Sequence, residues 1–327
     1  MSEPEVPTGP PLPFRILSLD GGGIMGTYSA SVLSFIEQAA NVRIADYFDL
    51  VTGTSTGGLI ALALGMGIPP TKVLAVYREH GPRIFPYAGL HRRLTRRILH
   101  LFRAKWSQDR LSDAIHEIVG DGVLKHAKRM LVIPSFESTE GTAHLFRTPH
   151  HPALAHDGGR TAVEVGLATA AAPTFFQAYT SVRSERTYVD GGVWANCPAI
   201  VGIVEAVRWL GVRPDRIKVL SIGVTQEPYY ATQKGKKFGG ILSWNVGIIA
   251  LLMKAQMTGS LLLAEELLGK RLLRINTVVE RGRFAMDDAS KINQLMALGK
   301  SAGERHLQQV VDEFLMVGPA PSPKFFS

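Results

Sequence analysis

A hydroxyl attacks a carbonyl well only when a neighbouring group takes its proton and donors meet the developing negative oxygen. The pentapeptide Gly53-Thr54-Ser55-Thr56-Gly57 places a serine where both could happen. Phe48, Leu50 and Val51 before it supply a short apolar strand. Leu59, Ile60, Ala61, Leu62, Ala63 and Leu64 after it continue as a helix too uniformly apolar to face water. A G-x-S-x-G at such a junction is a nucleophile elbow: the hydroxyl is exposed at the strand's carboxyl end, beside the positive end of the next helix. The same five residues also suit an inert loop, so the pattern needs partners elsewhere in the chain.

One partner stretch follows the first strand, Phe14-Arg15-Ile16-Leu17-Ser18-Leu19. It reads Asp20-Gly21-Gly22-Gly23-Ile24-Met25-Gly26 and leads into a helix with Tyr28, Val32, Phe35 and Ile36 on one face. Gly21, Gly23 and Gly26 spell G-x-G-x-x-G, so a nucleotide-binding enzyme built on the Gly21–Gly26 loop must be weighed. That reading wants an acid closing the next strand, about 20 residues on, to hold a ribose. Asp46 and Asp49 precede or open that strand instead. The alternative makes Gly21, Gly22 and Gly23 an oxyanion hole, their side-chain-free backbone aiming N–H groups at one oxygen.

The second partner is Asp190, at the end of the strand Arg186-Thr187-Tyr188-Val189 and followed by Gly191-Gly192. A lone D-G-G is most often a turn, but this one offers a carboxylate to a chain that needs a base. A Ser-acid-His triad would place its histidine on a late loop. The only histidine after Asp190 is His306, inside the last amphipathic helix, so a direct Ser55–Asp190 pair fits better. His144, His150, His151 and His156 lack the spacing to gather three ligands, and neither a metal nor a cofactor is expected.

Around these points the chain alternates strands and helices. Strands are predicted at residues 130–133, 143–146, 216–222 and 271–275, and helices at 71–80, 111–119, 163–172 and over two closing segments after Asp287-Asp288. Residues 225–240 read as a mobile loop and 241–268 as a long apolar helical region, together a candidate lid over Ser55. No repeat or linker divides the chain: residues 1–13 are expected to be a flexible leader, 14–317 one catalytic domain, and 318–327 a flexible tail.

At 327 residues, 46% hydrophobic and 20% charged, the chain affords a large core and is not globally disordered. One cysteine, Cys197, excludes an internal disulfide framework and suits a reducing cytoplasm. No apolar run reaches the ~18–20 residues of a spanning helix. The net charge of +8 favours anionic partners without choosing among them. Basic positions cluster at Arg92, Arg93, Arg96 and Arg97, interleaved with Leu94 and Ile98, and again at Lys234, Lys236 and Lys237. Each cluster suits a membrane surface or a phosphorylated ligand, or is a solvated face.

Taken together and in order, Asp20-Gly-Gly-Gly-Ile-Met-Gly26, Gly53-Thr-Ser-Thr-Gly57, Ala171-Ala-Pro-Thr-Phe-Phe176 and Asp190-Gly-Gly192 resemble the patatin-like phospholipases. The resemblance implies a three-layer α/β/α sandwich around a mainly parallel sheet, with Ser55 as nucleophile, Asp190 as base and Gly21–Gly23 as oxyanion donors. It implies hydrolysis of membrane phospholipid esters at a peripheral membrane surface, without metal or cofactor. Met25 stands where that family usually has arginine or lysine. The opening segment is similar to the bacterial anti-phage subgroup, which implies activation by a cyclic oligonucleotide bound at one of the basic clusters. A cytoplasmic protein, peripheral at the inner membrane when active, follows; nucleic acid is not expected as a partner and a homo-oligomer stays open. An inactive patatin fold serving as an interaction module is the other alternative, against which the retained Ser55 and Asp190 both speak.

Overall fold

The computed structural model describes residues 12–86, 105–228 and 247–326. Its strands are β1 (Phe14–Leu19), β2 (Leu50–Gly53), β3 (Met130–Glu137), β4 (Thr142–Arg147), β5 (Tyr179–Thr180), β6 (Thr187–Asp190), β7 (Ile217–Ile222) and β8 (Leu272–Ile275). All eight belong to one sheet. β3, β2, β1, β7 and β8 run parallel as neighbours, while β4 and β6 pair with β3, and β5 with β6, in antiparallel fashion. The central strands are short apolar runs without polar alternation, as parallel strands covered on both faces must be. Ile16, Leu50, Val132 and Ile217 project to one face and Leu17, Val51, Leu131 and Leu220 to the other, each set entering its own core cluster.

Helices close both faces. On one lie α1 (Gly26–Ala39), α2 (Thr56–Gly65), α3 (Pro70–Ile84), α4 (Gln108–Val119) and α5 (Ala162–Ala170). The short α6 (Gly192–Ala195), α7 (Ala199–Leu210) and α8 (Gly247–Leu268) cover the other, while α9 (Ile292–Val310) packs on α1. This is the α/β/α sandwich implied by the resemblance. α2 is buried along its whole length, which its run of Leu, Ile and Ala requires. α5 starts with a capping box, Thr161 and Glu164 satisfying each other's backbone N–H.

Three expectations change. The closing segment is one helix, α9, running on into a π-helical turn at Val311–Leu315; Asp288 caps only a preceding 3-10 turn. Residues 318–326 do not form a loose tail. The buried guanidinium of Arg15 donates to the carbonyls of Phe314 (2.8 Å) and Gly318 (2.6 Å), and that of Arg129 to Ala320 and Pro321 (both 3.1 Å). The carbonyls of Asp46 and Pro149 in turn accept from the N–H groups of Ala320 and Phe326. Nor does the second half of α8 lie over the cavity at Ser55. Met257, Leu261, Ala264 and Leu268 pack it on the second core with α7, and Thr225 and Gln226 are bonded to residues 276–279. The remainder of the expected loop, residues 229–246, lies outside the described residues.

Candidate active site

The serine sits where its sequence pattern put it. Ser55 adopts φ 54°, ψ −124°, a conformation disfavoured for a residue with a side chain, and caps the N-terminus of α2. Neighbouring contacts hold the turn. Ser55 N–H donates to Thr169 Oγ1 at 3.0 Å, Thr169 donates to the Pro134 carbonyl at 2.6 Å, and Thr54 Oγ1 donates to the Ala195 carbonyl. The flanking glycines are steric necessities: a Cβ on Gly53 would lie 2.1 Å from the Gly57 carbonyl oxygen, and one on Gly57 2.3 Å from that of Leu19.

Asp190 is delivered by strand pairing. Along one edge of β3, β2 pairs in parallel with Met130–Val132, and β6 pairs antiparallel with Ser135–Glu137. β4 occupies the opposite edge. β2 and β6 therefore run toward each other and end face to face across Ile133 and Pro134. Their last residues lead into Ser55 and Asp190. The small-residue end of α5 fixes the meeting point: the Ala171 carbonyl accepts Asp190 N–H at 3.0 Å and the Thr169 carbonyl accepts Gly191 N–H at 3.3 Å.

The Ser55 side chain lies close enough to Asp190 to favour its carboxylate, and Gly192 N–H donates to Asp190 Oδ1 at 2.6 Å. Asp190 is only 5% exposed. Burial pushes its carboxyl up to about 6, against the opposing pull of Ser55 and of the Gly192 N–H. Such a carboxylate is ionised at neutral pH yet more basic than a solvated one, which suits proton abstraction. No histidine among the described residues is bonded to either group. His306 bonds the Ala302 carbonyl within α9.

The glycine loop is tied down at its root. Asp20 is buried and forms a two-pronged ion pair with Arg274 of β8, whose Nη1 lies 3.0 Å from Asp20 Oδ1 and 2.7 Å from Ser221 Oγ. One of the three expected donors is otherwise engaged: Gly21 N–H donates to the Asn196 carbonyl at 3.0 Å, so it has no proton for an oxyanion. Among the described residues the N–H groups of Gly22 and Gly23 have no acceptor, and both glycines line the cavity that opens at Ser55. Gly23 is held at φ +58°, with a Cβ there 2.3 Å from the Met286 carbonyl oxygen. The N–H of Thr56 heads α2 on the same side. The dinucleotide reading loses its acids: Asp49 accepts the Arg15 N–H at 2.7 Å and Asp46 pairs with Arg129 at 3.2 Å.

The cavity holds about 370 Å³ and runs between α3 and α4, walled by Val76, Ile84, Leu111, Ala114, Ile115 and Ile118, with Phe175 and Phe176 from the A-A-P-T-F-F block. An alkyl chain fits such a lining. Two polar wall residues escaped sequence reasoning because nothing local marks them. Burial pushes the Tyr77 phenol up to about 12, and it hydrogen-bonds Thr56 Oγ1 beside Ser55. His80 Nε2 pairs with Glu117 at 2.7 Å; with Glu79 these place candidate ligand atoms within 4.8 Å of one another, although Glu79 already has Arg83 at 3.4 Å. The basic clusters Arg92, Arg93, Arg96 and Arg97, and Lys234, Lys236 and Lys237, lie outside the described residues.

Fold and site together define an α/β/α protein whose elbow serine stands beside a strand-end carboxylate at the mouth of an apolar cavity. The chain belongs to the patatin-like phospholipase family, which matches residues 17–203. It is 30% identical over 320 residues to a cGAMP-activated phospholipase of Pseudomonas aeruginosa, spanning 96% of this chain and 95% of that protein. A cGAMP-activated phospholipase of Vibrio cholerae is 33% identical over 251 residues, 71% of each chain. Patatin-like protein 2 of Arabidopsis thaliana is 30% identical over 284 residues, 75% of this chain and 69% of that one.

Proposed function

We propose that this chain hydrolyses the carboxylic esters of membrane phospholipids, with Ser55 as nucleophile and Asp190 as its base. The observation that carries this is the buried Asp190 carboxyl beside Ser55, both lining the opening of an acyl-sized apolar cavity. Asp190 takes the Ser55 proton as Oγ attacks the ester carbonyl. The N–H groups of Gly22 and Gly23, with the positive end of α2, meet the oxyanion. Collapse expels the lysolipid alkoxide, which takes the proton from Asp190 and leaves an acyl-serine. Water, deprotonated by the same carboxylate, then cleaves the acyl-enzyme, and the proton returns to Ser55 as the fatty acid leaves.

Two of the relatives are cGAMP-activated; by analogy a cyclic oligonucleotide switches this chain on, its phosphates met by Arg92, Arg93, Arg96 and Arg97 or by Lys234, Lys236 and Lys237. The site of action would be the inner face of the cytoplasmic membrane, reached peripherally. No helix among the described residues is long and apolar enough to cross a membrane. The test is incubation with mixed-phospholipid vesicles, with and without a panel of cyclic di- and trinucleotides, followed by mass spectrometry of released fatty acids and lysolipids. Nucleotide-dependent release of both, lost in Ser55→Ala, is the expected result. Nucleotide-independent release would remove the switch and leave the hydrolase; no release under any condition would remove both.

A further inference from the structure

The oxyanion loop is held from outside the region that defines the family, by a residue of α8. Asn196, just beyond the catalytic turn, donates its backbone N–H to Gln256 Oε1 at 3.1 Å. Its carbonyl accepts Gly21 N–H at 3.0 Å, and its side-chain Nδ2 donates to the Gly21 carbonyl at 3.4 Å, so Asn196 grips Gly21 at both peptide groups. The Asn196 amide oxygen fills the space between the two catalytic turns: a Cβ would lie 2.5 Å from it at Gly21 and 3.0 Å from it at Gly192. Gln256 is itself oriented, its Nε2 donating to Ser260 Oγ one turn along at 2.9 Å. Neighbouring Met257 takes a longer contact from Asn196 Nδ2, at 3.8 Å, and packs into the second core.

We infer that Gln256 is a positioning residue for the hydrolytic reaction proposed above, setting the oxyanion loop through Asn196. The chain of contacts runs from Ser260 to Gln256, then Asn196, then Gly21, and Gly22 and Gly23 follow directly. A donor is useful only if it stands about 3 Å from where the oxyanion forms, and small displacements are felt in turnover rather than in ground-state binding. Gln256 lies beyond residues 17–203, the part matched by the family. The register of α8 on the sheet thus bears on a loop that is distant in sequence.

The test compares Gln256→Met with Gln256→Glu in the full-length chain. Methionine keeps the length and loses the acceptor for Asn196 N–H; glutamate keeps an acceptor. Hydrolysis of 4-nitrophenyl butyrate is followed with and without the cyclic nucleotide panel, together with thermal melting of each variant. Expected for Gln256→Met is a fall in kcat of ~10-fold or more at a KM within ~2-fold of wild type, with Gln256→Glu recovering most of the loss. Ser260→Ala, which frees the Gln256 amide, should move kcat the same way by less, and serves if Gln256→Met does not fold. Unchanged kcat in Gln256→Met, or equal losses in the Met and Glu variants tracking equal losses of melting temperature, would overturn the inference while leaving the hydrolase reading intact. A folded wild type without esterase activity under every condition would overturn both.

Discussion

A carboxylate taken out of water beside a serine is both a ready base and a burden on the fold. Asp190 titrates near 6 because burial disfavours its charge, so kcat/KM for a neutral ester should fall about tenfold per unit below pH 6 and level off above it. A pH–rate profile on a soluble ester checks this, and a profile flat down to pH 4 would dismiss Asp190 as the base. Stability runs the other way. With the folded-state value raised from 3.8, the favourable contribution is fully present below 3.8 and is lost as pH rises through about 6. Asp190→Asn should therefore lose ~10²- to 10⁴-fold in activity yet melt no lower than wild type at pH 8. Any stability gain, on the order of 2–3 kcal/mol at most, should vanish by pH 4. Ser55→Ala should be inactive at every pH. Gly23→Val should cost ~10²-fold or more in turnover, because the left-handed backbone and the Met286 carbonyl leave no place for a side chain. Met25→Arg is expected to be tolerated, since it restores the family's usual residue.

At the scale of elements, α3 and α4 face each other across the cavity and set what chain it accepts. Ala114 of α4 is a small residue on that wall, 4% exposed, between Leu111 and Ile118 on the same helical stripe. Ala114→Trp should fill the space with an indole. Activity toward a palmitoyl ester should fall ~10-fold or more while that toward a butyryl ester stays within ~3-fold, since each lost buried methylene is worth about 1 kcal/mol or more. Equal losses on both esters would mean that the acyl chain lies elsewhere. The second half of α8 packs Ala264 and Leu268 in the core it shares with α7 rather than over the cavity.

For the molecule as a whole, two buried arginines tie the closing segment to the sheet. Arg15, 1% exposed, also faces Asp49, while Arg129 pairs with Asp46 and takes the carbonyls of Ala320 and Pro321. Ending the chain after Val317 removes three of these carbonyl acceptors: Arg129 Nη1 loses both of its own and Arg15 Nη1 keeps only that of Phe314, at about 1–3 kcal/mol per lost partner. The truncated protein should melt several degrees lower, at ~2–4 °C per kcal/mol for a chain of this size. A melting temperature unchanged by the truncation would restore residues 318–327 to the loose tail suggested by their proline-rich sequence.

What the sequence determined is whatever local stereochemistry can enforce. Glycines at 53 and 57 admit only the tight elbow, the unbroken apolar run of residues 59–64 must be buried, and a strand ending in Asp-Gly-Gly offers a carboxylate at its tip. Those signals, with their order along the chain, were enough for the sandwich and for the family. Tertiary structure decided what depends on partners distant in the chain. Only strand pairing shows that β2 and β6 share one edge of β3, which is what brings Asp190 onto Ser55. Only the fold shows that Gly21 gives its N–H to Asn196, leaving two donors of three, and that Arg274 holds Asp20. A backbone N–H looks the same in any sequence; whether it is free for an oxyanion depends on which carbonyl the rest of the chain brings within 3 Å of it.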